Sequence, residues 1–395
     1  MKREKRIKIY VAMVLIIMPI FLSGCWDSHE LNKLSIVSGL GWDIDPDTGE
    51  VTLTYQSIIP SEIKSSSSSY GGGEPKGGSP LRTIKLDQDT GSSPYDVLSR
   101  YAQHASRIPF YQHTQVYVFG KEGVQRGIYP FLDTQARNPV SRPNALMVVS
   151  AEKKASDILE IQDGLENIQA FGMAAVIKLS ATFSKYPAVT VLQFQNRLLS
   201  KTTAPIAPMV GIFEETGPEG EKSRKIRVIG TAVFKGDRMI GQLNERESSG
   251  LLWAINKIKI GFVMIPEASL EIVTAKSKIV PELQGDQVKI TIEIDEESNL
   301  VEYKGHQDMN SDIVQELEKG QAKEIESQVR AAVDKSFALD ADVFGLGDAV
   351  HRKYKKEWKD LKPKWDDIYP RIEVVVKVKT HLNEIGDVNK ALIKD

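Results

Sequence analysis

Apolar positions along the chain recur at two periods, and the switch between them divides it into alternating strands and helices, followed by a region dominated by hairpins. Leu34 to Leu40 and Val51 to Ile59 are apolar runs of strand length, and the Asp43-Ile44-Asp45-Pro46-Asp47-Thr48-Gly49 segment between them reads as a hairpin turn. Leu81 to Leu86 reads as a returning strand. A helix is predicted from about Pro94 to Ser106, a strand at Thr114 to Phe119, helical turns over Gly123 to Arg137, and a strand at Ala145 to Ser150. Helices around Gln169 to Phe183 and Val189 to Leu199 complete this half, and such alternation argues an α/β or α+β domain.

Thr202 to Pro208, with two prolines in four residues, reads as a linker. Beyond it, strands at Lys225 to Lys235 and Arg238 to Leu243 flank the compact turn Gly236-Asp237, and a short helix runs from about Glu247 to Ile255. Leu270 to Val280 and Gln287 to Asp295 repeat the device around Gly285-Asp286, and Leu300 to Lys304 adds a further strand. The helix predicted from Ser311 to Ala338 carries Ile313, Leu317, Ile325, Val329, Ala332 and Phe337 on one face, the stripe expected of a helix packed on a sheet. Ile372 to Thr380 is β-branched and reads as a last strand.

Two segments fall outside this pattern. Residues 61–80 are rich in Ser, Gly and Pro and too poor in apolar side chains to order themselves; they read as a flexible loop within one domain, with a domain boundary as the competing interpretation. The N-terminus joins a basic stretch (Lys2, Arg3, Lys5, Arg6, Lys8) to an apolar run, Ile9 to Leu22, that is too short and Pro19-interrupted for a comfortable membrane span. It ends in Leu22-Ser23-Gly24-Cys25, which predicts a lipoprotein signal peptide over residues 1–24, cleaved between Gly24 and Cys25. Cys25 would then carry a covalent diacylglycerol and an N-acyl chain such as palmitate. One acyl chain binds a bilayer marginally, whereas several on one residue hold it durably.

Composition narrows the function classes. Cys25 is the one cysteine in 395 residues, so neither a disulfide nor a cysteine metal site is available to the remainder. Without residues 1–24 the chain holds 46 Lys and Arg against 52 Asp and Glu, a net charge near −6 that argues against a nucleic-acid partner. About 370 residues suggest two or three domains.

Candidate chemistry is sparse. Asp43, Asp45, Asp47 and Gly49 resemble a calcium loop, but the glycine falls at the seventh position and Thr54 occupies the twelfth, where a bidentate carboxylate is required. Asp340, Asp342 and Gly345 fail likewise, and Gly345 and Gly347 read as a break between helices. The six histidines show no paired spacing, and no nucleophile elbow, P-loop or complete dinucleotide fingerprint is present, so no metal, catalytic residue or enzymatic activity is expected. From His351 to Lys364, Val350, Tyr354, Trp358 and Leu361 would share one face of a helix ended by Pro363. Arg352, Lys353, Lys355, Lys356, Trp358 and Lys359 there suggest a basic, aromatic surface for anionic headgroups or an acidic partner; the alternative is a packed helix with a solvated charged face. Trp26 could sit at the headgroup level or pack on the first sheet.

Gly24-Cys25-Trp26-Asp27-Ser28-His29-Glu30-Leu31-Asn32-Lys33-Leu34, continuing through Ile36 to Asp43, resembles the start of the Ger(x)C family, the lipoprotein C subunits of bacterial spore germinant receptors. Gly230 to Asp237, and Ala341 to Gly347 leading into Lys355 to Trp358, fit the same family, and the resemblance spans almost the whole chain after Cys25. It implies an α+β (mixed α/β), elongated three-domain protein, each domain a mostly antiparallel or mixed sheet packed with helices. Joined to the pattern above, the divisions are residues 25–201, a small middle domain over 202–266, and 267–395 with the long helix. The resemblance also implies membrane A and B subunits as partners and attachment to the outer face of the spore inner membrane. The function it suggests is a non-catalytic role in receptor assembly or stabilisation during nutrient-triggered germination. The alternative is an extracytoplasmic lipoprotein that captures a small nutrient for a transporter-like subunit.

Overall fold

The computed structural model describes residues 33–58, 84–138, 141–161, 166–218, 220–285 and 287–384, besides positions 3, 10 and 13. Gly24, Cys25, Trp26 and the Ser/Gly-rich stretch 61–80 lie outside the described residues.

The first sheet is mixed. Strands β1 (Leu34–Ile44), β2 (Val51–Ile58) and β3 (Ile84–Gly91) form an antiparallel meander, with helix α1 (Pro94–His104) following. A short β4 (Ile108–Phe110) pairs beside the start of β1, and β5 (Val116–Phe119) lies parallel to β1 further along. Helices α2 (Lys121–Arg126) and α3 (Tyr129–Arg137) then lead to β6 (Leu146–Ser150). The connection α4 (Ala155–Leu159), α5 (Gln169–Thr182) and α6 (Val191–Leu199) returns to β7 (Ile206–Thr216). β8 (Lys222–Lys235) and β9 (Arg238–Leu243) close the sheet antiparallel, giving the order β3-β2-β1-β5-β6-β7-β8-β9.

Both faces of this sheet are covered, which is why β5 and β6 read as unbroken apolar runs. Tyr117 and Phe119 of β5 point to one core with Leu40, Trp42 and Phe131, while Val116 and Val118 point to the other with Leu159, Ala170 and Met173. Gly39 and Gly41 alternate with Leu40 and Trp42 because α4 and α5 press against β1. A Cβ at either glycine would stand 2.9 Å from Ala170 Cβ or a Leu159 methyl.

The second sheet has the order β10-β11-β12-β13. Helix α7 (Glu245–Ala254) leads into β10 (Phe262–Met264) at its edge. β11 (Ala268–Gln284) and β12 (Gln287–Tyr303) make one 17-residue-per-strand hairpin, so the strand expected at Leu300 to Lys304 is the far end of β12, paired back to β11 at Leu270. Helix α8 (Ser311–Ala338) covers this sheet and delivers β13 (Glu373–Glu384) parallel to β12. Asn310 caps α8 by accepting hydrogen bonds from the Asp312 and Ile313 backbone N–H groups. Its buried face is the predicted stripe, with Gln321, Val333 and Ser336 added and Phe337 only half-buried.

Three expectations change. β7 begins inside the segment read as a linker, at Ile206, and runs on to Thr216; it pairs with β6 only from Met209 onward, so Pro208's missing N–H costs no bond to that neighbour. Residues 202–266 are shared between the two sheets, β7 to β9 extending the first and β10 edging the second. The apolar stretch Ile255 to Ile265, whose β-branched residues suit a strand, is strand only at Phe262–Met264, because Asn256 turns out of α7 at φ 57°. The halves are clamped where α7 crosses α8: a Cβ on Gly250 would come within 2.0 Å of the Gln328 carbonyl oxygen, and Arg246 forms a two-pronged ion pair with Glu324.

Candidate functional site

The basic segment singled out from the sequence begins at a buried polar junction between the two halves. Asp342, 4% exposed, accepts hydrogen bonds from the backbone N–H groups of Gly345, Leu346 and Gly347, at 2.8, 2.9 and 2.9 Å. It thereby starts helix α9 (Leu346–Lys353) with a carboxylate where the positive end of the helix lies. Gly345 sits at φ 77°, a left-handed turn that a glycine makes without strain, and a Cβ on Gly347 would stand 2.6 Å from Thr202. Gly345 is therefore required by its backbone conformation and Gly347 by close approach, at the point where the sequence suggests a break between helices.

From the first half, Arg197 of α6 reaches into the same junction. Its Nε donates to the Ala204 carbonyl at 2.9 Å and a terminal nitrogen donates to the Val343 carbonyl. Burial pulls the Arg197 guanidinium down to about 10, opposed by the charges of Asp342 and Asp348. Burial likewise pushes the Asp342 carboxyl up to about 6, against the three backbone donors and Arg197. Asp348 accepts from the hydroxyls of Ser200 and Thr203, the latter at 2.6 Å, and the Ala204 N–H donates to the Asp342 carbonyl at 2.8 Å. Charge, caps and backbone together lock the entry to the basic segment onto α6.

Past this anchor the segment departs from the expected single helix. α9 ends at Tyr354, whose φ of −119° and ψ of 62° are not helical, and a turn leads to α10 (Trp358–Leu361) and α11 (Trp365–Ile368). Arg352, Lys353, Lys355, Lys356 and Lys359 are exposed. Lys353 is tied down, donating to the Pro281 carbonyl on β11 at 2.7 Å. Trp358 is not part of the surface. It is 6% exposed, stacked with His351 at 5.4 Å and edge-on to Trp365 at 5.2 Å, and is buried with Val350 and Leu361 on the apolar face that their spacing predicts. What remains outside is a basic face without an aromatic component.

The Asp-rich turn is not convergent. Asp45 folds back on its own loop, accepting from the Asp47 and Thr48 N–H groups at 2.9 and 2.8 Å, while Asp43 accepts from Ala155 N–H at 2.8 Å on the far side, where burial raises its carboxyl to about 6. Among the described residues no three His, Cys, Asp or Glu side chains are grouped to hold a metal ion.

Glu296 escaped sequence reasoning. It is 2% exposed on β12 beneath α8, neither carboxylate oxygen has a partner at hydrogen-bond geometry, and burial pushes its carboxyl up to about 8, opposed by the nearby Gln321 and Ser298 side chains. Beside it in the same layer, Ser298 and Gln321 hydrogen-bond to each other. The only signal in the sequence is polar residues at alternate positions facing a helix stripe that itself contains a glutamine.

Comparison with known proteins matches residues 27–212 to the family described as "Spore germination protein N-terminal domain" and residues 229–386 to "Spore germination B3/ GerAC like, C-terminal". The chain is similar to Spore germination protein KC of Bacillus subtilis (strain 168), at 25% identity over 96% of each chain. It is also similar to Spore germination protein GerQC of Bacillus cereus, at 20% identity over 95% of this chain and 98% of that one. Among solved structures, that of the GerBC protein aligns with a TM-score of 0.53 and 16% identity, covering 90% of this chain and 99% of that one, and so shares the fold.

Proposed function

The chain belongs to the GerAC-like family of spore germination proteins, and on that premise we propose that it is the lipid-anchored, non-catalytic subunit of a spore germinant receptor, required for the receptor to assemble or remain stable. The observation that carries this reading is the family match over both halves of the chain, joined to the Leu22-Ser23-Gly24-Cys25 signal immediately before it. Its partners would be the membrane A and B subunits and the outer leaflet of the spore inner membrane. Lipid on Cys25 would leave seven residues between the anchor and Lys33, where the described fold begins, so the first sheet would stay close to the bilayer.

Cys25→Ala tests the anchor. The variant should fold and become soluble, while localisation and nutrient-triggered germination of spores carrying it are lost. Normal germination with fully soluble protein would remove the anchor from the function.

The exposed lysines support a second contact, with anionic headgroups or an acidic subunit surface. Lys355, Lys356 and Lys359 project from the fold without holding it together, so reversing all three to glutamate should leave stability within about 0.5 kcal/mol. At about 1 kcal/mol per basic residue near an anionic surface, binding of the protein to phosphatidylglycerol vesicles should fall by roughly tenfold or more. Unchanged vesicle binding together with unchanged receptor co-purification would reduce this face to solvated charge.

A further inference from the structure

A cavity of about 500 Å³ opens at the carboxyl ends of β1 and β5, between the β1–β2 turn, the start of α1, helices α2 and α3, and the β8–β9 tip. Its walls are Trp42, Val51, Phe119, Ile128 and Phe131, with the Trp42 and Phe119 rings 4.3 and 4.6 Å from Phe131. Size and lining suit the apolar body of a small molecule, and the carboxyl ends of parallel strands are where open α/β sheets place such ligands.

The rim differs in character. Arg126 and Arg238 both border it, and neither is in ion-pair contact with a carboxylate among the described residues. Arg126 is held in place by donating to the Asp45 carbonyl at 3.0 Å and to the Pro46 carbonyl, contacts that fix its guanidinium, with the Asp45 carboxylate interacting with it electrostatically but outside ion-pair distance. The one carboxylate on the rim, Asp237, is engaged: it accepts from Tyr129 N–H at 2.9 Å while its own carbonyl takes Ile128 N–H at 3.2 Å. That docking of the hairpin tip requires Gly127, at φ 124°, where a Cβ would lie 2.6 Å from Asp237 Oδ2. Ser92, Ser93 and Pro94 bring the N-terminal end of α1 to the same opening, where Ser93 caps the helix and the Asp96 carboxylate accepts from Ser92 N–H at 2.9 Å.

We infer that this cavity is a binding site for a small carboxylate with an aromatic or branched aliphatic body, the body filling the Trp42–Phe119–Phe131 pocket and the carboxylate meeting Arg126 and Arg238. A guanidinium fork matches a carboxylate's two oxygens, and the apolar walls exclude a ligand that is polar throughout. The site is independent of the lipid anchor and of the lysines on α9 and α10.

The test is calorimetric titration of the folded protein, residues 25–395, with 4-phenylbutyrate and with octanoate, each beside its uncharged alcohol. Saturable one-to-one binding below about 5 mM is expected for at least one acid. The corresponding alcohol and the Arg238→Ala variant should each bind roughly tenfold more weakly. Gly123→Leu, which places a side chain in the cavity beside Ile44, should abolish binding without altering the thermal melt. Absence of saturable binding for both acids, or binding that neither variant weakens, overturns the assignment; if Gly123→Leu fails to fold, Arg238→Ala and the alcohols still decide it.

Discussion

Replacing Glu296 with glutamine is expected to stabilise the protein by roughly 3–5 kcal/mol at pH 8.5 and by only about 1 kcal/mol at pH 5.5. The sign follows from where the proton sits. In the unfolded chain Glu296 ionises near 4.5, whereas in the fold burial holds the proton until about 8, so the folded state binds the extra proton between those values. Stability is therefore full below pH 4.5, falls as pH rises towards 8, and is lowest above it, where a carboxylate with neither oxygen hydrogen-bonded must be charged beneath α8. Glutamine has the same shape and no charge to bury, and it removes that slope. Urea unfolding of both proteins across pH 5.5 to 8.5 measures the difference directly. Parallel pH profiles, or a variant less stable at pH 8.5, would sink the account; Asp43 and Asp342 titrate in both proteins and cancel in the comparison.

The opposite effect is expected at Asp342. Asp342→Ala should cost roughly 3–5 kcal/mol at pH 7, because it leaves three backbone N–H groups at the start of α9 without an acceptor and leaves the buried Arg197 guanidinium with Asp348 alone as counter-charge. Asp342→Asn, which keeps an acceptor but no charge, should fall between the variant and the parent. Removing both partners, as in Arg197→Met with Asp342→Asn, should cost less than the separate losses combined, since no unpaired charge is then buried. Equilibrium unfolding of the four proteins gives the coupling. A loss below about 1 kcal/mol for Asp342→Ala would mean that the junction contributes packing only.

Much of the architecture was legible because it rests on local rules. The α8 stripe from Ile313 to Val329 repeats at helical spacing, and Asn310 ahead of it is a strong cap, so the predicted and observed bounds coincide at Ser311 and Ala338. Gly236 and Gly285 both adopt φ 61°, and each marks a hairpin turn visible in the sequence. The reading faltered where burial and polarity part company. Glu296 to Asn299 falls between two predicted strands, yet β12 runs straight through it with Glu296 and Ser298 turned towards α8 and Asp295 and Glu297 towards solvent. Pro205 and Pro208 suggested a linker, although Pro208 stands in β7 ahead of the residues that pair with β6.

By itself, then, the sequence determined the elements, the family resemblance, the anchor expected at Cys25 and the basic run from Arg352 to Lys359, all of which are encoded by neighbours within a few turns of chain. Tertiary structure decided which of these residues face one another. Trp358 joins Val350 and Leu361 in the core, as their shared spacing predicts, while the break at Tyr354 that divides the segment into separate helices is invisible to periodicity. Arg197 meets Asp342 and Asp348 across about 145 residues, and the Trp42 cavity gathers four separate stretches of chain, one of them the hairpin tip held by Asp237. Desolvation raises a carboxyl group, and two guanidiniums become a rim, only once distant parts of the chain exclude water around them.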